Sequence, residues 1–161
     1  MTTLTNLEAL RASKLGAELT NGQSQLLSEL ISFRDLKTGE VLVKGGTRDN
    51  VLYVIVDGAL GVVRNAGNPD EVTLFTLTAG DLVGELSFID GTEHYASLVS
   101  LGNTRVFGLE REKLESLLAE HGQLVYRVMR AIMRTAHQIQ RRLSINSVEL
   151  TNYIYKQHGR Y

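Results

Sequence analysis

The sequence contains no cysteine, which excludes a disulfide framework and every thiolate metal site and fits a reducing compartment. A surplus of either charge is also missing. The formal net charge of -1 over 161 residues argues against a generally basic nucleic-acid binder and leaves any charged partner to local patches. The stretch from Met1 to Leu19 has neither the charged start nor the unbroken apolar run of a signal peptide. No apolar segment reaches the roughly 20 residues of a membrane span. These absences predict a soluble, cytoplasmic protein with no membrane partner. His94, His121, His137 and His158 show no paired spacing with carboxylates, so the sequence offers no metal site, no catalytic residue and no enzyme.

What is present is a chain long enough to bury about 70% of its unfolded surface, which permits one domain with an internal pocket. Leu4, Leu7, Leu10, Leu15 and Leu19 recur near helical spacing and predict an N-terminal amphipathic segment over residues 1–20 that docks on a surface not identified by the sequence. A second short helix is expected at Gln23 to Ile31. From Phe33 to Leu109 the chain breaks into short β-prone runs: Val41 to Val43, Val51 to Val56, Ala59 to Val63, Val72 to Leu77, Leu98 to Leu101 and Arg105 to Leu109. Glycines stand between them, as turns with positive φ require. The pattern is mainly β, a roll, barrel or jelly roll.

After Leu109 the period becomes helical. Leu114, Leu117 and Leu118 predict a short helix ended or bent by His121-Gly122. Val125, Met129, Ile132, Ala136, Ile139 and Leu143 then alternate steps of four and three, a seam suited to knobs-into-holes packing and hence to a homodimer interface. Burial of that seam against the chain's own roll is the competing reading. Arg127, Arg130, Arg134, Arg141 and Arg142 make the same helix basic, with no acidic residue from Gln123 to Asn146; this is either a solvated face or a surface for an acidic partner. Asn146, Leu150 and Tyr153 continue the seam weakly, and Lys156 to Tyr161 read as a frayed tail. The expected organisation is an N-terminal helical segment at 1–20, a roll at 21–122, a long helix at 123–150 and a tail at 151–161.

The segment from Gly80 to Val99 carries the chemistry. Gly84 lets backbone approach a ligand closely, a helical turn from Glu85 to Ile89 aims N–H groups outward, and Glu85 can accept hydrogen bonds from a sugar hydroxyl. Gly39-Glu40-Val41-Leu42, Asp49-Asn50-Val51-Leu52-Tyr53-Val54-Ile55-Val56-Asp57-Gly58 and Gly80-Asp81-Leu82-Val83-Gly84-Glu85-Leu86 follow in order. Together they resemble the framework of the cyclic-nucleotide-binding domain family, that of the bacterial catabolite activator protein and kinase regulatory subunits, over roughly Phe33 to Thr135. The resemblance implies a double-stranded β-helix, a jelly-roll-like β-roll with flanking helices, followed by a short helix and a long C-terminal dimerisation helix. It implies a regulatory module in which cyclic AMP, cyclic GMP or another small anionic ligand occupies a cassette of Gly84, Glu85, Leu86, Ser87, His94, Tyr95 and Ala96. No cofactor is required beyond that ligand. Thr135 and Gln140 are the matching candidates for base contacts, while Ile139 replaces a polar position.

The cassette departs from the family at its phosphate anchor. Aligned without gaps, Glu93 stands at the family's proline, His94 at its arginine and Tyr95 at a small residue. Arginine is a permanently charged fork, whereas histidine offers one or two donors and is charged only below a pKa near about 6.5. His94 is then a phosphate contact, a remnant in a site that takes something else, or an exposed loop residue. The alternative function is a ligand-free roll serving as a dimerisation or protein-interaction platform, its protein partner unknown. Too few residues follow Leu143 for a helix-turn-helix, so direct DNA binding is not expected.

Overall fold

The computed structural model describes residues 4–158, with side chains described through residue 145. Eight strands form two four-stranded antiparallel sheets. One has the order β1 (Ser32–Leu36), β8 (Thr104–Glu110), β3 (Val51–Asp57), β6 (Leu82–Val83); the other runs β2 (Val41–Val43), β7 (Ser97–Ser100), β4 (Ala59–Arg64), β5 (Val72–Thr78). The architecture is the β-roll with flanking helices. The helices are α1 (Asn6–Arg11), α2 (Asn21–Ser28), α3 (Glu85–Asp90), α4 (Arg111–Glu115) and α5 (Gly122–His158).

The near-continuous apolar runs of β3 and β8 have a simple origin. Side chains alternate across a strand, and both faces of these two strands are covered. Leu52, Val54, Phe107 and Leu109 join the cluster beneath the helices, whereas Ile55 and Val106 join the cluster between the sheets. The two strands missing from the sequence reading are β1, whose residues are mostly exposed, and β6, which is two residues long and pairs with Tyr53 and Val54. Neither presents an alternation that stands out from its surroundings.

The N-terminal segment is not one helix. The chain turns between α1 and a 3-10 turn at Gly16–Glu18, because the Ser13 hydroxyl donates to the Leu10 carbonyl and accepts from the Gly16 N–H. The backbone at Gly16 lies so close to the Leu10 carbonyl that any Cβ would collide with it. The docking surface is the chain's own core, where Ala9, Leu10 and Leu15 are buried. Capping boxes at Thr5 with Glu8 and at Thr20 with Gln23 start α1 and α2.

Helix α5 continues past position 150 to His158, in keeping with the lack of glycine or proline from Gln123 to Gln157. The side chains of Asn146, Leu150 and Tyr153, and the last part of the expected tail, lie outside the described residues. Much of the predicted interface seam is turned inward. Val125 is buried and Ile132 is 0% exposed against this chain's own roll, as the competing reading had it, and Met129 packs at the edge of the same cluster. The basic face also has an internal partner: Arg127 donates to the Glu18 carbonyl, and Arg130 and Arg134 pair with the Glu18 carboxylate. Arg141 and Arg142 remain exposed. Among the described residues no helix is long and apolar enough to cross a membrane.

Candidate ligand site

The cassette begins at the turn before β6. Asp81 holds this turn: its carboxylate accepts from the Thr78 N–H at 2.9 Å and pairs with Lys14, whose own N–H donates to the Gly80 carbonyl at 3.0 Å. The N-terminal segment is thereby fastened to the cassette. Gly84 then adopts φ 77° as the residue entering α3, the left-handed region where a side chain is strained. A Cβ there would sit 3.4 Å from the Val51 carbonyl oxygen and 3.5 Å from the His94 ring.

Helix α3 sorts the expected contacts into two groups. Ser87 is fully buried and turned away from the cavity. Its hydroxyl accepts from the Asp49 N–H and donates to the Asp49 carbonyl, both at 2.8 Å, which pins α3 to the loop before β3. Gly84, Glu85, Leu86, His94, Tyr95 and Ala96 instead line one small cavity. Its volume is about 30 Å³, the space of one water molecule. Glu85, Leu86 and Tyr95 also form one wall of an outer cleft of about 700 Å³, whose other wall is α5 at Ala136, Ile139, Gln140, Leu143 and Ser144. Ile139 and Tyr95 border both spaces. Gln140 therefore faces the cleft, while Thr135 is buried and lines neither space.

His94 is not an exposed loop residue. Its N–H donates to the Thr47 carbonyl and its carbonyl accepts from the Gly46 N–H, and the residue is 8% exposed. Nε2 faces Asp49, lying 3.3 Å from its Oδ1 without the alignment of a hydrogen bond. Asp49 is the neighbour that sequence reasoning missed. It had been quoted only as part of the framework before β3, and nothing in linear spacing places it against a residue 45 positions on.

The electrostatics are acidic. Glu85 is 5% exposed, and among the described residues no cation is paired with it. Burial holds its carboxyl above the usual carboxylate range, its own backbone N–H pulling weakly the other way. Burial, and secondarily the Glu85 charge, push the Tyr95 phenol up to about 12. Glu93 pairs with Arg48 at 3.4 Å on the exposed rim.

A carboxyl whose folded-state pKa is raised stabilises the fold while protonated, and that contribution is lost as pH rises through the folded pKa. Glu85→Gln keeps the shape and removes the charge. It is expected to raise Tm by a few degrees at about pH 8, where roughly 1 kcal/mol corresponds to about 2–4 °C, and to give no advantage near pH 4. Thermal unfolding at both pH values checks this; an equal gain at both would contradict it.

Comparison with known proteins follows the same outline. The family model described as "Cyclic nucleotide-binding domain" matches residues 33–121. The chain is similar to the CRP-like cAMP-activated global transcriptional regulator of Mycobacterium tuberculosis, 25% identical over 100 residues that cover 62% of this chain and 45% of that protein. The chain thus spans less than half the length of the first curated relatives it matches. Among solved structures, a cyclic nucleotide-binding domain from Methylobacillus flagellatus superposes with a TM-score of 0.74 at 26% identity, covering 85% of this chain and 77% of the other. The regulatory subunit of a cAMP-independent protein kinase A from Trypanosoma brucei, solved as a mutant bound to cAMP, shares the fold with a TM-score of 0.72 at 22% identity, covering 91% of this chain and 50% of that one.

Proposed function

The chain belongs to the cyclic nucleotide-binding domain family, and from that premise we propose that it is a non-enzymatic, cytoplasmic regulatory module that takes a ligand in the Gly84–Ala96 cassette and relays its presence through α5. The observation that carries this reading is Glu85. A buried carboxylate without a cation is costly, and a roll that served only as a platform would gain from replacing it. Its place between the inner cavity and the outer cleft gives that cost a use, because hydroxyl donors of a ligand would satisfy it.

The relay follows from Ile139, which borders both spaces. The inner cavity holds little more than a water molecule, so a ligand seated on Glu85 must displace Tyr95, Ile139 or both, and Ile139 moves with α5. The signal passes to a second copy of the chain. The proposed interface keeps Met129, Ala136 and Leu143 of the seam read from the sequence and replaces its other three members by the residues one position on, giving Tyr126, Met129, Met133, Ala136, Gln140 and Leu143, which again alternates steps of three and four. Tyr126 is 61% and Met133 73% exposed, apolar surface that a partner helix would cover.

Thermal unfolding with a panel of nucleosides and nucleotides tests the site. At least one compound is expected to raise Tm of the native chain and to leave that of Glu85→Ala unchanged, since a ligand that binds only the folded state stabilises it. No shift with any member at millimolar concentration would overturn the proposal.

A further inference from the structure

We propose that the cassette selects an uncharged, hydroxyl-rich ligand of the nucleoside type over one bearing a phosphate, in place of the anionic ligand expected from the sequence. This rests on the reading of the cassette as a ligand site and concerns what that site accepts. No lysine or arginine lines the inner cavity or the outer cleft among the described residues. The ionisable groups present are Glu85 and Glu93, the His94 ring and the Tyr95 phenol, with Asp49 directly behind His94. The nearby guanidinium, Arg48, is exposed on the rim and engaged with Glu93. A phosphate entering here would meet the Glu85 and Glu93 carboxylates and no lysine or arginine of the lining, since Lys44 and Arg64 line a separate cavity that shares only Tyr95 and Ala96 with these spaces.

The same lining suits a neutral molecule with two unlike ends. At the inner end Glu85 offers carboxylate oxygens to hydroxyl donors, and the buried His94 ring, its Nε2 3.3 Å from Asp49 Oδ1, forms the wall beside it without presenting a cation. At the outer end Leu86, Tyr95, Ile139 and Leu143 supply apolar walls for a planar ring, with Gln140 and Ser144 able to hydrogen-bond its edge. Apolar walls with a few placed polar groups are the usual make-up of a small-molecule site, and a volume of some 300–1,000 Å³ is typical. A ribose joined to a heteroaromatic base has both ends. A phosphate adds a third group for which the lining has no complement.

Isothermal titration of the native chain with adenosine, guanosine, 2′-deoxyadenosine, 2′-deoxyguanosine, cyclic AMP and cyclic GMP separates the possibilities. At least one ribonucleoside is expected to bind at least tenfold more tightly than its cyclic monophosphate. Its 2′-deoxy form should lose tenfold or more, because Glu85 then lacks a donor. Raising salt should leave nucleoside affinity unchanged and improve that of the cyclic nucleotide, whose repulsion is screened. A cyclic nucleotide binding as tightly as its nucleoside, or tighter, overturns this inference and leaves the ligand-site reading standing. Absence of binding by all six compounds overturns both.

Discussion

A chain carrying His94→Arg and Tyr95→Ala binds cyclic AMP at least tenfold, and up to about a hundredfold, more tightly than the native chain. The gain comes from one charge-assisted contact, worth roughly 1.5–3 kcal/mol, where about 1.4 kcal/mol is a factor of ten. The position supports the change. The His94 ring is inside the cassette, and Asp49 Oδ1 at 3.3 Å would hold an arginine's charge while the site is empty. Removal of the Tyr95 ring from the border of cavity and cleft gives the longer side chain and a phosphate room to meet. Tyr95→Ala alone opens the site without adding a cation and is expected to leave cyclic AMP binding weak. Calorimetry on the three proteins checks this. Equal gains from the single and double variants would make bulk, rather than charge, the barrier to phosphate.

The second large effect concerns α5. Tyr126→Asp with Met133→Asp is expected to turn a dimer into a folded monomer, with the dissociation constant raised at least a hundredfold and Tm of the monomer little changed. Both side chains are exposed on the isolated chain, so neither change buries a charge at home. Ile132→Asp is the opposite case. Ile132 is one residue away on the helix but lies in the core under the roll, where an unpaired carboxylate costs several kcal/mol, and its predicted phenotype is loss of the fold. Sedimentation velocity and circular dichroism on the two variants distinguish the registers. If the exposed pair leaves the assembly state unchanged, the Tyr126–Met133 stripe is not the interface.

Those two registers show where sequence pattern stops being informative. An apolar stripe that packs on a helix's own domain and one that packs on a second copy have the same period. Val125, Met129 and Ile132 therefore read as an interface although Val125 and Ile132 are buried at home. The basic residues of α5 left a solvated face and an acidic partner both open, since Glu18, which Arg127, Arg130 and Arg134 engage, lies more than a hundred positions earlier and only the fold brings it near. The strands fared better. Six of the eight were legible because β3 and β8 are covered on both faces and glycine turns bound the others.

In the cassette the motif order located Gly84 and Glu85 and identified the missing arginine. It could not show that Ser87 faces the Asp49 backbone rather than the cavity, because a serine beside a helix start serves either purpose. It also left His94 between pocket and surface. The answer came from two backbone hydrogen bonds to the loop at Gly46 and Thr47, a pairing set by tertiary structure alone.

The central claim is that occupation of the cassette moves α5. Backbone amide NMR on the native chain, titrated to saturation with adenosine or guanosine and then with their cyclic monophosphates, tests it most directly. The account predicts shifts from Gly84 to Ala96 together with shifts on α5 beyond the cleft wall, at Met129 and Met133, which line neither space, whichever compound binds. Shifts confined to the cassette, with α5 unperturbed at saturation, would contradict it.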